Sequence, residues 1–455
     1  MAASDEATAG SGASVLPGHG RRGLVALATL RLLRRALPPD APVELALGPG
    51  GEEVIRAGGS PAARIVVTDP DALGRLLWPP TSDRFGEAFL RGELEIEGDL
   101  GAAIDAGRGL DLRRLAPRDL RRLLRWSAQL RRGASLPRTL DRVARLPGHP
   151  HSRARDLASV RFHYDVGNDF FGFWLDRRMT YSCAYFESPT DPAASLDAAQ
   201  EAKLDLICRK LRLTPGLRLL DIGCGWGSLV QFAAERYGVR AVGITLSEPQ
   251  ASHAVARARG SGLGDRVRAE VRDYRDLGGL GSFDVVASVG MFEHVGRANL
   301  AAYFAAARDA VRPGGLFLHQ GIATRRQPGR RRVRVRFAAG GFVGRYVFPD
   351  GELVSVEEAI YQARAAGFEL LDVQSLRPHY ALTLEAWSRR LEERAADARR
   401  AAGDEVYRTW RLYLAAARQA FESGALDVVQ LLLARPDVAG AASRPLRPWW
   451  WSGDA

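Results

Sequence analysis

Cysteine is nearly missing from this 455-residue chain: Cys183, Cys208 and Cys224 are unevenly spaced and form no CxxC pair. An odd, scattered set excludes a disulfide framework and a CxxC-type zinc site, and it fits a reducing, cytoplasmic setting. Long hydrophobic runs are missing too. The strongest N-terminal stretch, residues 24–37, is broken by Arg31, Arg34 and Arg35, so neither a secretory leader nor a membrane span is expected. Lysine is confined to Lys203 and Lys210, so arginine carries most of a formal net charge of +11. What remains is ordinary for a folded protein, with 46% apolar and 26% charged residues and a length that allows about three domains.

The charge is local. Between residues 111 and 155, 13 arginines face only Asp111, Asp119 and Asp141, a net +10 in that stretch. An anionic partner therefore has to be considered. Residues 1–20 read as a disordered tail, 21–110 as a small α+β domain, and 111–159 as an Arg-rich linker with one or two helices. The small domain combines a basic amphipathic helix, strand-like runs at Val43–Leu47 and Ala63–Val67, and a turn-rich segment over 85–99. A large domain follows over 160–434, and 435–455 is a C-terminal tail. In the large domain, apolar runs at 217–222, 240–245, 267–271, 283–288, 315–322 and 368–375 alternate with helical patterns. That alternation predicts an α/β fold with a doubly wound sheet. Residues 385–433 read as helical.

A glycine turn opens the first βα unit: Asp221-Ile222-Gly223-Cys224-Gly225-Trp226-Gly227-Ser228. A dinucleotide site has G-x-G-x-x-G, and its third glycine falls here on Ser228. The acid expected about 20 residues on is replaced by the run Gly243 to Leu246. Alternating glycines after an acid suit a nucleoside without phosphates, such as S-adenosylmethionine, with its amino-acid portion against Gly223 and Gly225 beside Asp221. Thr245, Leu246 and Gln250 end the second strand unit and Asp273 and Tyr274 the third, the carboxyl-end crevice where open sheets bind ligands. Gln250 is placed to reach a ribose, with Asp273 and Tyr274 flanking an adenine. Ser247 reads equally well as a helix cap.

Three further blocks complete the pattern: His163-Tyr164-Asp165-Val166-Gly167-Asn168, Met179-Thr180-Tyr181-Ser182-Cys183-Ala184-Tyr185-Phe186 and Met291-Phe292-Glu293-His294-Val295-Gly296. With them the chain closely resembles the cyclopropane-fatty-acid synthases and mycolic acid methyltransferases, over about 160–434 and more weakly over 85–100. The resemblance implies a Rossmann-like S-adenosylmethionine-dependent methyltransferase with a smaller N-terminal α+β, lipid-associating domain. It implies methylene addition across a cis double bond in a phospholipid acyl chain, giving a cyclopropane fatty acid. Relatives also yield methylene- or methyl-branched chains, so the product stays open.

The same resemblance assigns Tyr164, Tyr181 and Ser182 to the cofactor and implies a bound bicarbonate as base. Its holders would be Cys183, Glu293, Tyr380, Ile322 and the position where the family has a histidine. A gap-free reading puts Gln320 at that position, with His319 one residue early. On a strand that offset turns the side chain to the opposite face, so Gln320 is the expected ligand unless a bulge intervenes. An amide still bonds an anion but carries no charge.

For partners, an anionic phospholipid surface is expected, with the protein held peripherally at the inner face of the membrane. Arg113 to Arg132 and the cluster Arg325, Arg326, Arg330, Arg331, Arg332, Arg334 and Arg336 are the cationic segments that suit it. Trp449, Trp450 and Trp451 read as interfacial anchors or a frayed tail. No nucleic-acid motif is evident, and a homodimer is compatible with the sequence. A methyltransferase for a soluble small molecule and a non-catalytic cofactor- or lipid-binding module are the competing readings.

Overall fold

Period-2 alternation between residues 43 and 67 becomes the first sheet. The computed structural model describes residues 20–49, 53–55, 60–77, 81–132, 134, 136–188, 192–325, 341–437, 440 and 446–450. It divides into two units, the first ending at Arg138 and the second beginning at Thr139. The first contains α1 (Arg21–Ala36), β1 (Val43–Leu47), β2 (Glu53–Ile55), β3 (Ala63–Val67), α2 (Pro70–Leu76), α3 (Ser82–Leu90), β4 (Leu94–Gly98), α4 (Leu100–Arg108) and α5 (Pro117–Arg132). Its sheet order is β2-β1-β3-β4, with β1 and β3 parallel and the other pairs antiparallel. Helix α1 turns Ala26, Leu30 and Leu33 inward.

Two expectations change in this unit. The segment 85–99 is not merely turns: it is the end of α3, a tight turn at Gly92 (φ 73°) and strand β4. Residues 111–159 are not one linker either, because α5 packs on α1 and α2 and belongs to the first unit. It buries Leu123, Ser127 and Leu130, and Gly74 permits the close crossing, since a Cβ there would stand 2.6 Å from the Arg131 nitrogen. Arg22 donates to the Leu130 carbonyl at 2.7 Å and Arg35 pairs with buried Asp119 at 3.0 Å. The opposite face leaves Arg118, Arg121, Arg122, Arg125 and Arg132 exposed.

The second unit opens with α6 (Arg153–Tyr164), α7 (Asn168–Gly172) and α8 (Pro192–Lys210), then alternates: β5 (Arg218–Ile222), α9 (Ser228–Tyr237), β6 (Arg240–Thr245), α10 (Glu248–Gly260), β7 (Val267–Val271), β8 (Phe283–Val289), α11 (Leu300–Ala310) and β9 (Val311–Thr324). It closes with α12 (Phe342–Tyr346), β10 (Val354–Ser355), α13 (Val356–Ala365), β11 (Glu369–Ser375), α14 (Arg377–Glu393), α15 (Ala395–Ala402), α16 (Asp404–Glu422) and β12 (Leu426–Ala434). The sheet runs β11-β12-β9-β8-β5-β6-β7, with β10 alongside the end of β9. Strands β9, β8, β5, β6 and β7 are parallel, so the fold is doubly wound α/β as expected. Strand order reverses at β5, and the crevice of such sheets opens at that point.

One strand escaped the sequence reading. Residues 426–434, expected as the end of a helix, are β12, wedged antiparallel between β9 and β11. Gly424, at φ 69°, ends the preceding helix, and a run buried on both faces shows no alternation to betray it.

The tail differs as well. Trp450 is 5% exposed and packs on Leu206 and Leu432, while the Trp449 indole donates to the Arg209 carbonyl at 3.0 Å. These two rings are docked on α8, neither frayed nor presented as an interfacial anchor. Residues 1–19, Trp451, Arg444 and the cluster from Arg326 to Arg336 lie outside the described residues. Among the described residues no helix is long and apolar enough to cross a membrane.

Candidate active site

Three adjoining lobes open at the carboxyl ends of the central strands, and Tyr164 and Gly290 line all three. The first is walled by Gly223, Gly225, Thr245, Leu246, Gln250 and Tyr274. Gly223 adopts φ 86°, and a Cβ there would stand 2.7 Å from that of Met291, so only glycine keeps this wall open. Thr245 donates its hydroxyl to Gln250 Oε1 at 2.8 Å, which orients the amide. Burial raises the Tyr274 hydroxyl to about 12 and leaves it without a partner, a neutral donor at the lobe. Ser247 caps α10 and is no lining residue. Asp273, expected beside an adenine, is not brought to the wall: Arg275 engages its carboxylate at 2.6 and 2.7 Å.

The second lobe lies against the glycine turn, between Tyr181, Ser182, Lys203, Asp221 and Trp226. Helix α8 clamps the loop carrying Tyr181 and Ser182, with Gln200 donating to the Ser182 carbonyl at 2.9 Å and Lys203 Nζ to its hydroxyl at 2.9 Å. Burial raises Asp221 to about 7, and its Oδ1 has no partner. Trp226 donates to Asn168 Oδ1 at 2.8 Å, tying the turn to the start of α7. An open glycine cradle, an orphaned buried carboxylate oxygen and polar groups on the nucleoside side fit S-adenosylmethionine.

The third lobe brings together Cys183, Glu293, Gln320, Ile322 and Tyr380 from four distant segments. Glu293 sits on a turn after β8 and reaches β9, where Oε1 accepts from the Ile322 nitrogen at 2.7 Å. Its Oε2 is buried without a partner, and desolvation pushes the carboxyl up to about 7. Gln320 lines the lobe, with its Oε1 held by the Gln430 amide at 2.9 Å, so its own nitrogen is the donor left for the cavity. Around residues 316–320 the ladder is continuous on both sides, without a bulge. His319 accordingly points the other way, 3.0 Å from the Tyr303 hydroxyl, and burial lowers it to about 3, neutral in the core. The Cys183 thiol contacts the Ala184 carbonyl at 3.2 Å, and burial keeps it protonated. Glu293 with one free oxygen and Gln320 with a free N–H provide an acceptor and a donor suited to bicarbonate.

Sequence reasoning missed several lining groups. Tyr413, from α16, and Phe348 add to an aromatic wall with Tyr164 and Tyr380. His294 stands between the first and third lobes and burial lowers it to about 4. Lys203 and Gln430 were also overlooked; the Glu293-His294 dipeptide was the one available signal, for His294.

Residues 151–431 match the sequence profile of the family described as mycolic acid cyclopropane synthetase. A Pseudomonas putida protein named "Probable fatty acid methyltransferase" is 41% identical over 414 residues, 90% of this chain and 97% of its own. "Tuberculostearic acid methyltransferase UfaA1" of Mycobacterium tuberculosis is 35% identical over 411 residues, 89% of this chain and 90% of its own. Among solved structures, mycolic acid cyclopropane synthase CmaA1 complexed with SAH and CTAB has a TM-score of 0.56 at 35% identity, covering 61% of this chain and 97% of that one.

Proposed function

Because the chain belongs to the mycolic acid cyclopropane synthetase family, we propose that it adds a carbon from S-adenosylmethionine to the cis double bond of a phospholipid acyl chain and closes a cyclopropane ring. S-adenosylmethionine dependence and fatty-acyl modification follow from the relatives; the ring and the phospholipid are the finer reading. When bound, the cofactor supplies an electrophilic methyl carbon whose bond to one alkene carbon leaves the other cationic until the added carbon loses a proton.

The observation that carries this reading is the free Oε2 of Glu293 inside an aromatic-walled lobe. Tyr164, Tyr380, Tyr413 and Phe348 line this lobe, and aromatic rings stabilise a developing cation and limit the access of water. Gly223 and Gly225 seat the amino-acid portion of the cofactor, with Gln250 and Thr245 placed for its nucleoside. Glu293 holds a proton acceptor where the cation is made, either directly or by fixing bicarbonate together with Gln320 and the Ile322 and Cys183 segments. For the lipid source, the exposed arginine face of α5 suits an anionic bilayer surface.

A second reading is a methylene- or methyl-branched chain, formed when a hydride shift precedes proton loss. It is favoured by the methyltransferase names of the two relatives aligned along nearly the whole chain and by a neutral Gln320 where the family has a histidine. Transfer of a labelled methyl carbon into the acyl chains of vesicle phospholipid tests the function, and chromatography of the product separates ring from branch.

A further inference from the structure

Lys203 and Asp221 are buried charges of opposite sign that share a lobe and do not pair with each other. Lys203 is 1% exposed, its Nζ donates to Ser182 Oγ at 2.9 Å, and no carboxylate of the described residues forms an ion pair with it. Asp221, at the end of β5, is 3% exposed, and its Oδ1 has no hydrogen-bond partner. Both line the lobe bounded by Tyr181, Ser182 and the glycine turn.

A buried ammonium has three N–H groups, and here one acceptor is matched to them. Buried charges persist where something compensates them. Had Lys203 and Asp221 served only the fold, a direct ion pair would be the cheaper arrangement. Two unpaired, complementary charges on one concave wall instead match a ligand that brings both signs at once, the ammonium and carboxylate of an α-amino acid.

We propose that Lys203 and Asp221 together read the zwitterionic end of the methyl donor, Lys203 holding the α-carboxylate and Asp221 the α-ammonium, with Lys203 also fixing the Ser182 hydroxyl. This rests on the cofactor reading above. Burial lowers Lys203 to about 8 and raises Asp221 to about 7, so each charge is weakly held until a ligand of opposite charge arrives. Lys203 thereby distinguishes the complete donor from nucleoside fragments that lack the amino-acid end.

The test is calorimetric titration of the full chain with S-adenosylhomocysteine and with its decarboxylated analogue, which keeps the ammonium and loses the carboxylate. The wild type is expected to bind the analogue at least about ten-fold more weakly, the scale of a hydrogen bond to a charged group. In Lys203→Met the two ligands are expected to bind within about two-fold of each other, because only the carboxylate-bearing ligand loses affinity, while Lys203→Arg restores part of the preference. Equal binding of both ligands by the wild type, which needs no variant to fold, overturns the proposal. So does a Lys203→Met protein that loses affinity for both ligands alike, the pattern of a residue that only supports the loop. Failure of the wild type to bind S-adenosylhomocysteine at all would overturn the cofactor reading along with it.

Discussion

Gln430 on β12 donates its amide to Gln320 Oε1 on β9 at 2.9 Å, and the two residues stand directly opposite in the ladder. A cross-strand pair of this kind fixes which end of the Gln320 amide faces the cavity. Gln430→Leu removes that bond, but it also removes Gln430 Oε1, which is buried without a partner. The two effects oppose, so unfolding free energy should change by less than about 1 kcal/mol. Turnover, in contrast, should fall about ten-fold at unchanged S-adenosylhomocysteine affinity, since Gln320 loses its orientation. Urea denaturation, steady-state kinetics and calorimetry on the one variant check this; a fall in cofactor affinity would place Gln430 in the wrong lobe.

Glu293 should set the pH dependence of both activity and stability. Burial raises its carboxyl from 4.5 to about 7, so between those values the folded protein binds a proton that the unfolded chain releases. Unliganded stability should therefore fall as pH rises from about 4.5 through 7. Asp221, raised to about 7, acts in the same direction. In Glu293→Gln the loss of stability between pH 5 and pH 8 should shrink, and turnover should drop at least about 100-fold, the range for a positioned proton acceptor. Turnover of the wild type should rise with pH through about 7 as the carboxylate ionises. Denaturation midpoints and a rate profile measured across this range decide it.

Arg118, Arg121, Arg125 and Arg132 lie on one exposed face of α5, and none has an ion-pair partner among the described residues. Replacing all four by Gln should leave the thermal midpoint within a few degrees, because nothing packed is lost. Partitioning onto phosphatidylglycerol vesicles at low salt should weaken at least about 100-fold, at roughly 1 kcal/mol per arginine, and added salt should narrow the difference. Sedimentation indistinguishable from wild type would remove α5 from the membrane account.

Trp450→Ala tests the docked tail. With 5% of its surface exposed against Leu206 and Leu432, the ring should be worth about 3 kcal/mol to the second unit. Its loss also uncovers Lys210, whose Nζ lies 5.5 Å from the ring centre and bonds Asp372 and Gln374. The expected result is a lower denaturation midpoint with vesicle binding intact; the reverse pattern would return this residue to the bilayer.

Legibility followed burial on one face or two. Strands β1, β3, β6 and β7 occupy the residues their patterns marked, and the family resemblance together with period-2 geometry separated Gln320 from His319. Strand β12 was opaque because Leu431, Leu432 and Leu433 are all buried, a run that fits helix and inner strand equally. That error hid Gln430. At Asp273 the sequence showed an acid at a strand end, and the arginine that engages it, Arg275, lies two residues on. Lys203 gave no signal: a single lysine on a helix usually marks solvent, and Asp221 and Ser182 reach it only through the tertiary fold.

The most direct measurement supplies S-adenosylmethionine with a fully deuterated methyl group and vesicles of a cis-monounsaturated phospholipid, then weighs the released fatty acids. A species one carbon heavier that retains two deuteriums and has no remaining double bond is the expected cyclopropane product; two deuteriums with an exocyclic double bond identify the methylene-branched alternative, and three deuteriums with a double bond within the chain the methyl-branched one. Lipid without label, from protein that still binds S-adenosylhomocysteine, would contradict the account.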